Sequence, residues 1–189
     1  KGYNDPRLKS YFNPAQDGRD KDGNINKEVA GVKQLSSIED EYKGVRQGTG
    51  VADNRYSTHS QTTITTASKI IVMSAAEVWF LRAEAALRYN TGDDVENCYK
   101  QGVTVSFAQW DANGVSDYLE SDNIPAAYVD VFDAKFNADA PSTITPKWDN
   151  TADKEEKLER IIAQKWLALY PEGCEAWAEQ RRTGYPRLI

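Results

Sequence analysis

At Ser74 the character of the chain changes, and the stretch from there to Trp110 limits the fold more than any other. Ser74-Ala75-Ala76-Glu77 has the form of a capping box, in which the serine and the glutamate each satisfy a backbone N–H at a helix start. Val78, Leu81, Ala85 and Leu87 then recur at helical spacing, with Trp79, Ala83 and Ala86 widening the apolar face. Tyr89-Asn90-Thr91-Gly92 offers a left-handed cap. Asp93 or Asp94 restarts a second helix, which bears Val95, Cys98, Tyr99, Gly102, Val103, Phe107 and Trp110. Gly102 in mid-helix costs about 1 kcal/mol, and close approach to the alanine-rich face of the first helix would offset it. Residues 74–110 thus predict an antiparallel helical hairpin the size of one tetratricopeptide unit, whose period is roughly 34 residues. A lone unit cannot bury its own face, so further helices should stack on it.

The flanking segments read differently. Residues 1–73 are loop-rich: Asn4-Asp5-Pro6, Asn13-Pro14 and Asp22-Gly23 are turn chemistry, and a short hairpin or two is expected. Long loops of this kind in a compact domain tend to carry binding groups. Residues 111–152 return to loop chemistry, with a short helix expected after Pro125 that carries Tyr128, Val129 and Phe132. Residues 153–189 predict closing helices. Leu158, Ile161, Ile162, Trp166 and Leu169 form one stripe, with Glu156 and Arg160 paired on the wet side. Tyr170-Pro171 and Gly173 end that helix, and a last one runs from Glu175 to about Arg182. There Trp177 is expected to plug the core, Arg181 and Arg182 to face the helix C-terminus, Gly184 to cap it and Pro186 to forbid its continuation. The fold class is mainly α: tetratricopeptide-like hairpins in an α–α superhelix, with long loops and little β structure.

Several functions are disfavoured. With 40% apolar and 28% charged residues the chain is an ordinary globular one. A net charge of -6, with the bases scattered among more numerous acids, argues against a nucleic-acid partner. No apolar run approaches the ~20 residues of a membrane span; stretches such as 70–73 are only a few residues long. Cys98 and Cys174 match no zinc spacing, and they either pair or stand as separate small residues. His59 is the only histidine, too few for a triad or a facial metal site, and reads as a surface or loop residue.

Asp17-Gly18-Arg19-Asp20-Lys21-Asp22-Gly23-Asn24 resembles a calcium loop, but alignment on Gly23 puts Gly18 and Val29 where the first and twelfth ligands belong. Gly48-Thr49-Gly50 lacks the strand and helix of a phosphate loop. Paired acids could in principle serve a hydrolase, although most of them lie beside lysines or arginines on helix faces. No cofactor is called for.

The aromatic residues divide into two groups. Trp79, Tyr99, Phe107, Trp166 and Trp177 sit on helical stripes and are expected in the core. Tyr42, Tyr56, Trp148 and Tyr118 fall in loops, where an exposed ring can carry the apolar face of a sugar; Arg46, Arg55 or Gln47 could bond its hydroxyls. The candidate ligand-binding set is Tyr42, Arg46, Arg55, Tyr56 and Trp148, each of which could instead pin its loop to the body.

Four stretches resemble the SusD/RagB family. MSAAEVWFLRAEAALR at 73–88 looks like a helix of that family, and Tyr99, Gly102-Val103, Ser106-Phe107 and Trp110 keep its spacing. The run IIAQKWLALYPEGCEAWAEQRRTGYPRLI at 161–189 is similar to its closing signature. NDPRL at 4–8, followed by an aromatic pair and Pro14, also fits. The resemblance implies a helical scaffold of stacked hairpins with long loops, in a lipoprotein anchored on the outer face of a bacterial outer membrane. Such proteins pass glycans, or in some members peptides, to a SusC-like TonB-dependent transporter, and they are not enzymes. The implied lipid anchor and earlier repeats are expected outside this chain, which opens on Lys1 without a leader and reads as the C-terminal part of one such domain. No ligand residue transfers by motif. A generic tetratricopeptide-like interaction module is the other reading of the hairpin.

Overall fold

The structure, a computed structural model, describes residues 2–17, 28–29, 32–33, 36–37, 41–45, 59–130 and 133–189. It is mainly helical. A single turn, α1 (Leu8–Tyr11), precedes the long hairpin α2 (Ala75–Tyr89) and α3 (Val95–Gln109). The short α4 (Val115–Leu119) and a 3-10 turn (Ala134–Phe136) lead to α5 (Lys154–Ala168) and α6 (Gly173–Thr183). The described strands form two antiparallel pairs of two residues each: β1 (Gln16–Asp17) with β4 (Ser36–Ser37), and β2 (Glu28–Val29) with β3 (Val32–Lys33).

The hairpin forms for the reasons its sequence states. Ser74 Oγ accepts from Glu77 N at 3.1 Å, Asn90 takes the left-handed cap, and Asp94 accepts from Asn97 N at 2.6 Å to open α3. α2 packs on α3 and α5, which bury it differently from the expected stripe. Its inner face is Ala76, Phe80 and Ala83 with Leu87, while Val78 and Leu81 are exposed. Close packing decides between the two stripes. A Cβ on Gly102 would stand 2.8 Å from the Phe80 ring, so the glycine of α3 admits the largest side chain of the alanine face. Glu84 joins that face because Arg182 and Arg88 meet its carboxylate.

α5 is buried on nearly every side, as a helix at the centre of a stack must be. Asp153 caps it, accepting from Glu156 N at 2.8 Å. Arg160 does not lie on a wet face. It is buried, and its Nε donates to Thr145 O at 3.1 Å. The helix stops at Ala168, and Gly173 begins α6 instead of ending α5. Trp177 is 57% exposed and is no core plug; among α6 residues Ala176 and Glu179 are the buried ones. Ionic contacts therefore do much of the docking of α6. Lys165 Nζ lies 3.1 Å from Glu179 Oε1, and both Arg182 Nη atoms reach Glu84 at 2.6 Å. Gly184 takes φ +80° at the cap, as expected.

Directly after Pro125 the described residues 126–130 form no helix. Tyr128 instead pairs with Ala138 in a β-bridge, and Phe132 lies outside the described residues. The opening NDPRL has a structural role that its sequence understates. Arg7 is fully buried, its Nη2 2.6 Å from Asp5 Oδ2, and it donates to Ser106 Oγ at 2.8 Å and Gln164 Oε1 at 3.0 Å. Its guanidinium lies over the Phe107 ring, 4.8 Å from the centroid. One side chain thus ties the first turn to α3 and α5. Cys98 is buried, Cys174 exposed, and both are free.

Candidate functional site

Backbone pairing brings three distant loop segments together. Asn13 N donates to Gln61 O, Ala15 N to Glu41 O and Ser60 N to Lys43 O, at 2.8 to 3.0 Å. This lacing sets Tyr42 and His59 beside the first turn. It also walls one side of a cleft of about 1000 Å³, within the size range of ligand sites.

The opposite wall is one face of α5. Glu159, Ala163, Trp166 and Leu167 all line the cleft, and their spacing of four, three and one is that of a single helical stripe. Tyr3, Pro125, Tyr128 and the closing residues 186–189 complete it. The lining is mostly apolar and includes the aromatic residues Phe12, Tyr42, Tyr128 and Trp166. Charge is balanced among the described lining residues. Lys43 Nζ lies 2.9 Å from Glu41 Oε1, and Arg187 Nη2 lies 3.3 Å from Glu159 Oε2. Burial, with Glu159 second, pushes the Tyr3 phenol up to about 12, so it stays a neutral donor at physiological pH.

A second hollow of about 310 Å³ lies between Leu87, Arg88 and residues 153–155 and 158. No aromatic residue lines it, so the larger cleft is the stronger candidate. Among the described residues no group of three or more His, Cys, Asp or Glu is placed to hold a metal ion.

The sequence-derived candidates divide accordingly. Tyr42 lines the cleft. Arg46, Gln47, Arg55 and Tyr56, the Gly48-Thr49-Gly50 segment and residues 18–24 of the calcium-like run lie outside the described residues. Trp148 is not an exposed platform. It is 8% exposed, its Nε1 donates to Asn150 Oδ1 at 3.0 Å, and its ring lies 5.1 Å from that of Tyr99. Tyr118 is likewise buried, on α4, with its hydroxyl against Gln164 and Asp5. His59 is a loop residue but a buried one.

Trp166 is the residue that sequence reasoning missed. Assigned to the core stripe of α5, it is 36% exposed on the cleft wall. The signal lay in Glu159, Ala163 and Leu167, which share its face.

The chain matches the SusD-like family model, described as SusD and RagB outer membrane lipoproteins, over residues 1–189. No curated protein sequence matches it. Among solved structures, a SusD homologue from Bacteroides vulgatus is 41% identical with a TM-score of 0.80, and the match covers 100% of this chain and 36% of that one. A second, from Bacteroides thetaiotaomicron, is 38% identical with a TM-score of 0.80, covering 100% of this chain and 37% of that one. A chitin-binding SusD homologue from Flavobacterium johnsoniae is 38% identical with a TM-score of 0.79, covering 100% of this chain and 36% of that one. The chain thus spans little more than a third of the length of these relatives. Matched from its first residue to its last, it belongs to the SusD-like family of outer membrane lipoproteins.

Proposed function

We propose that the chain is part of a cell-surface protein that binds oligosaccharide without cleaving it and delivers it to a SusC-like TonB-dependent transporter. The observation that carries this reading is the cleft between α5 and the laced loops, where the rings of Trp166, Tyr42 and Tyr128 line a largely apolar, charge-balanced space. Aromatic planes stack on the apolar faces of pyranose rings, and a few polar groups at the edge fix orientation. The chitin-binding relative from Flavobacterium johnsoniae supports a glycan as ligand class.

A binding role without catalysis suits the carboxylates present. Glycoside hydrolysis needs two acids flanking the scissile bond, one of them poised to give up a proton. The acids on this cleft, Glu41 and Glu159, each stand beside a cation instead. Titrating the full-length natural chain with panels of oligosaccharides and peptides, then looking for products by mass spectrometry, tests the reading. Saturable binding of a glycan with no product is expected. Preference for peptides would place the protein in a peptide-binding branch, new reducing ends would make it a hydrolase, and binding of neither panel would favour a helical interaction module.

A further inference from the structure

One end of the cleft has a polar chemistry of its own. Glu159 on α5 is buried, yet it stands on the cleft wall. Its Oε1 accepts from Ser142 Oγ at 2.5 Å, and its Oε2 faces Arg187 Nη2 at 3.3 Å. Ser142 is fixed in turn, since its Oγ accepts from Ile144 N at 3.1 Å. A carboxylate offers roughly four lone-pair sites, so these partners hold it in place and leave acceptor capacity on both oxygens. The Arg187 side chain is 59% exposed. A guanidinium carries more donors, in a rigid fork, than the contact with Glu159 uses.

A fixed acceptor beside an exposed donor fork complements a group with a donor and an acceptor on adjacent atoms. Neighbouring equatorial substituents of a pyranose have that arrangement. A hydroxyl or amide N–H can donate to the carboxylate while the adjacent oxygen accepts from the guanidinium. The geometry points to Glu159 and Arg187 as the specificity pair of the cleft, reading adjacent substituents of a neutral sugar ring. This inference rests on the glycan reading of the cleft.

Neutrality follows from the surroundings. An anionic sugar would set its charge against the buried Glu159, and a cationic one would set its own against Arg187. The Glu41–Lys43 pair at 2.9 Å adds no net charge to favour either.

Calorimetric titration of the full-length chain with neutral, uronic-acid-containing and amino-sugar oligosaccharides supplies the test, using wild type, Glu159→Gln, Arg187→Lys and Trp166→Ala. Thermal melts confirm that each variant is folded. A neutral oligosaccharide should bind tightest, and Glu159→Gln and Arg187→Lys should each weaken it about tenfold or more. Arg187→Lys is the cleaner probe, because it keeps the charge beside Glu159 and removes only the fork. If Trp166→Ala weakens binding while both polar variants stay within twofold of wild type, the cleft is the site and the pair is not its reader. A charged oligosaccharide that outcompetes every neutral one overturns the inference too. If no variant changes affinity, or no oligosaccharide binds, the glycan reading of the cleft fails and this inference fails with it.

Discussion

Arg7 Nη2 lies 2.6 Å from Asp5 Oδ2, and the arginine is sealed from solvent among Ser106, Gln164 and the Phe107 ring. Burying a guanidinium is costly, and the pair holds because every contact is charge-assisted. Breaking it from one side strands the other charge. Arg7→Leu should therefore cost about 3–5 kcal/mol, and Arg7→Lys should recover only part of that because it lacks the fork. Denaturant unfolding measures both.

Gly102→Ala sets helix propensity against packing. Alanine is favoured by about 1 kcal/mol in a helix interior, but its Cβ would stand 2.8 Å from the Phe80 ring. Overpacking of this kind costs about 1–3 kcal/mol, so the variant should be less stable. In a Phe80→Leu background the same substitution should be neutral or stabilising. A double-mutant cycle read from unfolding midpoints shows the coupling.

The docking of α6 should depend on pH. Burial works to raise the pKa of Glu84, but the guanidiniums of Arg182 and Arg88 outweigh it and hold the carboxyl below its usual value. A carboxylate whose folded pKa is depressed contributes stability above its unfolded pKa, and that contribution fades as pH falls through the folded one. Glu84→Gln should thus destabilise at pH 7, by about 1–2 kcal/mol given the part-exposed Arg182 side chain. The difference from wild type should vanish in acid, below the ordinary glutamate range. Melting both proteins from pH 3 to 8 tests the sign.

Glu77 should behave in the opposite sense. Burial, above all, raises its pKa, and Glu175 and Glu179 add to the effect while Lys165 opposes it. A carboxyl with a raised folded pKa loses stability as pH climbs from the ordinary glutamate value through the folded one. Glu77→Gln should therefore flatten the stability profile in that window. An unchanged profile would show that Lys165 balances the ionised Glu77.

Much of the fold was legible because local chemistry and tertiary packing agree. The cap at Ser74, the turn at Asn90, the start at Asp94 and the stop at Gly184 all stand where hydrogen-bonding side chains or a positive φ require them. Which face of a helix is buried was less legible. Val78 and Leu81 make as good a stripe as Ala76, Phe80 and Ala83, and the choice rests on Gly102 in the partner helix. Trp177 misled for a related reason: charge rather than apolar burial holds much of α6, so its largest ring stays outside. At the cleft, Tyr42 was recognisable as a loop aromatic. Trp166 was hidden because a helical stripe wide enough to reach two environments reads as one. Trp148 failed in the opposite direction, since its neighbours look like a loop while its ring packs on Tyr99.

Sugar binding in the cleft between α5 and the laced loops is decided by a crystal structure of the full-length chain with its tightest-binding oligosaccharide. A pyranose ring should lie stacked within about 4 Å of Trp166 or Tyr42, with its edge toward Glu159 and Arg187. A ligand bound elsewhere, with the cleft filled by the protein's own polypeptide, would refute the assignment.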